Sequence, residues 1–96
     1  MQVTQEQIDA WKKQHGDVFK ITVEDKCCFI KRPSRKTLSY ASTVGTKDPI
    51  KFNEIILNGC WLDGDAEIKT DDTLFMSASS QLAELMQFKT AELEKL

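Results

Sequence analysis

Val18-Phe19-Lys20-Ile21-Thr22-Val23, Glu24-Asp25-Lys26 and Cys27-Cys28-Phe29-Ile30-Lys31 form the stretch that decides the fold class. In its first part Phe19, Ile21 and Val23 fall on every second position, the period of a strand with one face buried. The second part is rich in residues that suit a pleated surface, and the short polar run between them reads as a turn. The stretch therefore predicts a β-hairpin over residues 18–32. No Asn-Gly or Asp-Gly marks the turn, so the register stays open. An isolated hairpin is marginal in water, and its apolar face needs helices across it. The expected class is α+β: a two-stranded antiparallel hairpin packed against about three C-terminal helices, with one more helix at the N-terminus.

The flanking sequence supplies those helices. Upstream, residues 4–15 read as a helix capped by Thr4, with Gln7 three residues on and Gly16 as its stop. Only Ile8 and Trp11 share an apolar face, so this helix is expected to dock lightly through Trp11. Downstream, Pro33 closes the second strand, because proline cannot donate to a ladder. Ser34 then caps a helix that carries Leu38 and Ala41 and ends at Gly45. Asp48-Pro49 starts the next as cap and first-turn proline, with Ile50, Phe52, Ile55, Ile56 and Leu57 along it and Gly59 at its end. Cys60-Trp61-Leu62 reads as an apolar strap and Asp63-Gly64-Asp65 as a turn. A last helix, capped by Thr70 or Asp71, is expected to run to about Lys95 on a stripe of Leu74, Phe75, Ala78, Leu82, Leu85 and Met86. Such a helix outruns a small core, so its end beyond Phe88 is expected to project and to present Leu93 and Leu96 to a partner chain or to its own copy. The candidate core is Phe19, Ile21, Phe29, Leu38, Phe52, Ile56, Trp61, Phe75, Ala78 and Leu82.

Length bounds the rest. The chain has 96 residues, room for one small domain (residues 1–96, with the helical part over 34–96). It carries 13 Lys and Arg against 15 Asp and Glu, a net charge of −2. That balance argues against a dedicated nucleic-acid or membrane-surface protein. Purely apolar runs such as Ile55-Ile56-Leu57 are far short of a membrane span, and the polar start is unlike a secretory signal. A soluble protein of the cytoplasm is expected.

The charges are unevenly placed. Residues 1–62 hold 10 basic and 7 acidic side chains, and residues 63–96 hold 3 and 8. Lys31, Arg32, Arg35 and Lys36 cluster where the hairpin meets the next helix. Three readings apply to the cluster: an acidic protein partner, an ordinary solvated face, or nucleic acid, the last weakened by the absence of interleaved aromatics. The asymmetry also lets one copy's acidic tail meet the basic end of the next.

Chemistry-bearing patterns are few. An odd cysteine count without repeated spacing argues against a disulfide framework, and neighbouring Cys27 and Cys28 point to opposite faces of a strand. With Cys60 they are expected as small buried hydrophobes. A zinc site lacks ligands, since His15 is the single histidine. The acids from Asp63 to Asp72 resemble a calcium loop only superficially, because Ile68 and Leu74 stand where glycine and a bidentate glutamate are required. No Gly-rich phosphate loop, Gly-x-Ser-x-Gly or His-Glu-x-x-His occurs. No catalytic residue, cofactor or metal is expected, and the chain is read as a non-enzyme.

The order of these features resembles a known family. A hairpin ends in Cys27-Cys28-Phe29-Ile30-Lys31-Arg32-Pro33-Ser34-Arg35. Asp48-Pro49-Ile50-Lys51-Phe52, Asn58-Gly59-Cys60-Trp61 and Asp71-Asp72-Thr73-Leu74-Phe75 follow. This pattern, over roughly residues 18–96, is similar to the tail assembly chaperones of tailed bacteriophages and prophages. The resemblance implies a non-enzymatic, often oligomeric protein of the bacterial host's cytoplasm. Its clients would be the long helical tape-measure protein and the tail-tube subunits, and it would be absent from the finished particle. Two other classes stay open: a minor structural tail or connector subunit retained in the virion, and a host-directed interaction module. The expected protein-binding residues are Lys31, Arg32, Arg35, Lys36, Phe88, Leu93 and Leu96, with a homo-oligomer possible.

Overall fold

A computed structural model describes residues 3–86 and 91–96. Its elements are α1 (Gln5–His15), β1 (Val18–Val23), β2 (Lys26–Lys31), α2 (Arg35–Val44), α3 (Pro49–Cys60), β3 (Trp61–Gly64), α4 (Glu67–Thr70), α5 (Asp72–Ser79) and a 3-10 turn (Leu82–Met86). The fold is α+β, as expected.

β1 and β2 form the hairpin, with Val23 opposite Lys26, Ile21 opposite Cys28 and Phe19 opposite Ile30. That register leaves a two-residue loop, Glu24-Asp25, in which Glu24 takes φ 56°. Tight hairpins require positive φ in their loop to match the twist of the strands, and here a glutamate supplies it in place of glycine or asparagine. The alternation predicted for β1 puts Phe19, Ile21 and Val23 on the face that packs on the helices.

The sheet has three strands, not two. Trp61–Gly64, expected as a strap and turn, pairs antiparallel with β2 on the side away from β1. Ile30 sits opposite Trp61 and Phe29 opposite Asp63, so one step on β2 spans two on β3. This bulge places the extra residue, Leu62, beside Trp11 and Val3 in the crease under α1. β2 is therefore central and buried on both faces, which explains its unbroken Cys28-Phe29-Ile30 run. Cys28 and Ile30 face the main core, while Phe29 packs against Trp11 with ring centroids 5.7 Å apart.

The helices lie on both sides of the sheet. α1 covers the Phe29 face and buries only Trp11, the light docking its composition predicts. Thr4 caps it, and Gly16 at φ 86° ends it by donating its N–H to the Lys12 carbonyl. The other face meets α2, α3, α4 and α5, whose Ala41, Ile56, Leu57, Cys60, Ile68, Phe75 and Ala78 join Ile21, Cys28 and Ile30 in one core. Ser34, Asp48 and Asp71 each accept a backbone N–H at the start of their helices, as their positions predict. Of the expected core, Phe19, Leu38, Phe52 and Trp61 are only half buried and pack around its margin.

The long last helix does not form. Asp71 adopts an extended backbone, φ −89° and ψ 122°, and separates α4 from α5. α5 ends at Ser79, where the Ser80 hydroxyl donates to the Ser77 carbonyl at 2.6 Å. The chain then turns, and Leu82 and Leu85 fold back into the core at 2 % exposure each. Burying two leucines is worth roughly 1.5–3 kcal/mol apiece, more than the few helical hydrogen bonds that a straight course would keep. Leu93 and Leu96 stand fully exposed outside any helix or strand. They do not lie on a projecting helix, and Phe88 lies outside the described residues.

Candidate protein-binding surface on α2 and α3

The four cations at the hairpin-to-helix junction divide into two pairs. Lys31 and Arg32, at the end of β2, are half buried. Arg32 is committed inside the chain. Its guanidinium pairs with Asp17 at 2.9 Å, lies 5.0 Å from the Phe19 ring centroid and donates to the Leu85 carbonyl at 3.3 Å. It ties the base of the hairpin to the closing 3-10 turn.

Arg35 and Lys36, one turn further on, are exposed. They occupy the first turn of α2, which contains no acidic residue. Cations are disfavoured there, because the partial positive charge of the helix N-terminus repels them. Among the described residues neither forms an ion pair.

Lys36 borders an open groove of about 530 Å³ between α2 and α3, lined by Thr37 and Tyr40 from α2 and by Ile55, Asn58 and Gly59 from α3. Gly59 sets the groove's floor. A Cβ there would lie 2.6 Å from Thr37 Cγ2, so the two helices approach closely only because Gly59 lacks a side chain. A second depression continues along α2 past Arg35, Ser39 and Thr43. Tyr40 stands between the two, 60 % exposed, and Ile50 and Val44 add exposed apolar surface on the same helices. Lys36 and Tyr40 are four residues apart and share a face of α2.

The structure thus brings Arg35 and Lys36 together with Tyr40 and Ile55, which the sequence reading did not single out. Leu93 and Leu96 are exposed elsewhere in the chain. The missed signal was the pairing of two helices across a glycine: Tyr40 looks like an ordinary helix residue until α3 is placed beside it.

The acidic residues have structural work. Asp65 Oδ2 accepts the Cys27 N–H at 2.9 Å, and the Asp65 N–H donates to the Cys27 carbonyl at 2.9 Å. Together they extend the β2–β3 pairing past Gly64, so this part of the turn is a clamp rather than simply a solvated loop. Glu67 pairs with Lys26 at 3.3 Å, and the Lys26 ammonium is pushed up from its ordinary range, first by that hydrogen bond and then by the carboxylate's charge. Lys69 covers the Trp61 ring at 4.2 Å. Among the described residues, no group of three or more His, Cys, Asp and Glu side chains is placed to hold a metal ion.

Cys28 and Cys60 are fully buried, and burial pushes each thiol up to about 11. Cys27 is half exposed, against the expectation that all three would be buried. It points to the α1 side of the sheet, where less covers it.

Among the described residues, no helix is long and apolar enough to cross a membrane. Comparison of the chain with protein-family models, with curated proteins and with solved structures finds no match.

Proposed function

We propose that this chain is a non-enzymatic tail assembly chaperone of a tailed bacteriophage or prophage, working in the cytoplasm of the bacterial host. In this reading it holds tape-measure and tail-tube proteins while the tail is built. The observation that carries the reading is the α2–α3 groove, largely apolar, with exposed Tyr40 and Lys36 at its rim and Arg35 on the adjoining depression, neither cation in an ion pair among the described residues. A groove of that kind suits the apolar face of an amphipathic helix with acidic flanks. A tape-measure protein, as a long helical polypeptide, offers many such faces. The order of hairpin, Arg32-Pro33-Ser34 cap, Asp48-Pro49 helix, Trp61 strand and Asp71-capped helix supports the same family.

The test is a tagged pull-down of the chain from a phage-producing culture, with mass spectrometry of the bound proteins and of purified particles. Recovery of a very long helical protein together with tube subunits, with the chain missing from particles, is the expected result. Its presence in particles would replace the proposal with a minor structural subunit. Recovery of one host protein alone, with or without phage production, would replace it with a host-directed module.

A further inference from the structure

Among the described residues, two features are left without a partner within one copy. One is the α2–α3 groove with Lys36 at its rim, continued along α2 by a depression that Arg35 borders. The other is the segment Ala91-Glu92-Leu93-Glu94-Lys95-Leu96, in which Leu93 and Leu96 are 101 % and 107 % exposed. Leucines that project fully into water contribute nothing to the fold, and two of them three residues apart share one face once the segment takes a helical turn. The groove is apolar along Tyr40 and Ile55 and cationic at its edge. The segment is apolar along Leu93 and Leu96 and acidic on balance, with Glu92 and Glu94 against the single Lys95. Among the described residues neither Glu92 nor Glu94 forms an ion pair.

We propose that residues 91–96 of one copy dock in the α2–α3 groove of a second copy, with Leu93 and Leu96 against Tyr40 and Ile55 and with Glu92 and Glu94 facing Arg35 and Lys36. The carboxylates would also offset the unfavourable placing of two cations at the N-terminus of α2. A second copy is the occupant because the described residues of one copy leave both its groove and its segment open, and the two are complementary in apolarity and charge. Exchange in both directions makes the interface two-fold symmetric, so each contact raises the local concentration for the other. A client helix with the same chemistry competes for the groove. The inference does not rest on the phage reading, and its test uses the purified chain alone.

Sedimentation velocity of the full chain across a broad concentration range reads the association directly. Reversible dimers are expected. Leu93→Asp with Leu96→Asp, or Arg35→Glu with Lys36→Glu, should weaken them by roughly tenfold or more, because each leaves charge facing an apolar or like-charged surface. Combining Arg35→Glu and Lys36→Glu with Glu92→Lys and Glu94→Lys should restore association. All six side chains are exposed, so at concentrations where the parent is monomeric no variant is expected to melt below it. Arg35→Glu with Lys36→Glu is expected to melt higher, because acids suit the first turn of α2; that separates lost docking from lost fold. A chain that stays monomeric throughout overturns the proposal, as does a dimer indifferent to these substitutions or a failed charge reversal. Amide shifts at Tyr40, Asn58 and Gly59 that respond to Leu93→Asp without depending on concentration would place the segment in its own groove, and would overturn it equally.

Discussion

Gly59 carries a contact that no other residue permits. With Thr37 Cγ2 at 2.6 Å from the point where a Cβ would stand, the α2–α3 pair has no room for a methyl group. Thr37 cannot swing away easily, because its Oγ1 accepts a hydrogen bond from the Ser34 hydroxyl at 3.1 Å, which a new rotamer would break. Gly59→Ala gains up to about 1 kcal/mol in helix propensity, yet overpacking costs typically about 1–3 kcal/mol. A net loss of about 1 kcal/mol is expected in urea denaturation. Adding Thr37→Ser, which removes the clashing methyl and keeps the hydroxyl, should recover most of it; a double-mutant cycle without coupling would show that the helices separate freely. The sequence reads Gly59 as a helix terminator, but α3 runs through it to Cys60, and its packing contact was not legible because Thr37 lies 22 positions away in sequence.

At the scale of elements, α1 and β3 show where local pattern is sufficient and where it is not. α1 is specified by its own residues, from the Thr4 cap to the Gly16 stop, and its single buried side chain is the Trp11 expected to dock it. Trp11→Ala is therefore expected to free the whole helix from Phe29 and to cost about 3 kcal/mol, the lower end for truncating a large buried aromatic. Hydrogen exchange gives the check: amides of residues 5–15 should lose protection while those of β1 and β2 keep theirs. Loss of protection throughout would mean that α1 is integral to the core. β3 has no comparable local signature. Four residues, two of them Asp63 and Gly64, do not alternate clearly, and only the open edge of β2 and the Asp65–Cys27 clamp make a strand of them. The Phe29 side of the sheet carried a further clue, since three consecutive buried residues in β2 require cover on both faces.

The whole molecule is longer than its core demands. Its radius of gyration is 14.7 Å, against about 12.5 Å for a compact chain of this length, and residues 91–96 are exposed throughout. Stability resides in the sheet and the helices around it, and the two buried thiols make it depend on alkaline pH. The unperturbed thiol titrates near 9.0, and burial moves Cys28 and Cys60 up to about 11. A raised value in the folded state means that the protonated form is favoured there. The associated stability is complete below about pH 9 and is lost as pH climbs towards 11. Thermal midpoints are expected to fall across that window and to fall less in the Cys28→Ala and Cys60→Ala variants, each compared with its own midpoint at pH 7. At neutral pH a thiol reagent should label Cys27 first and reach Cys28 and Cys60 only on unfolding. Equal labelling of all three in the native protein would contradict the burial.

Caps, strand period and apolar spacing, all encoded within a few residues of one another, were enough to determine the α+β class, the hairpin, the starts of α1, α2, α3 and α5, and much of the core. These features depend on short-range hydrogen bonds and on which side of a single element is apolar. The third strand, the break at Ser79, the inward return of Leu82 and Leu85 and the groove between α2 and α3 were decided by tertiary structure. Each arises from a balance between elements far apart in the chain: an unpaired strand edge takes whatever backbone lies beside it, and buried leucines outweigh the continuation of a helix. The same balance sorted the basic cluster, drawing Arg32 inward to Asp17 and Leu85 and leaving Arg35 and Lys36 outside beside Tyr40.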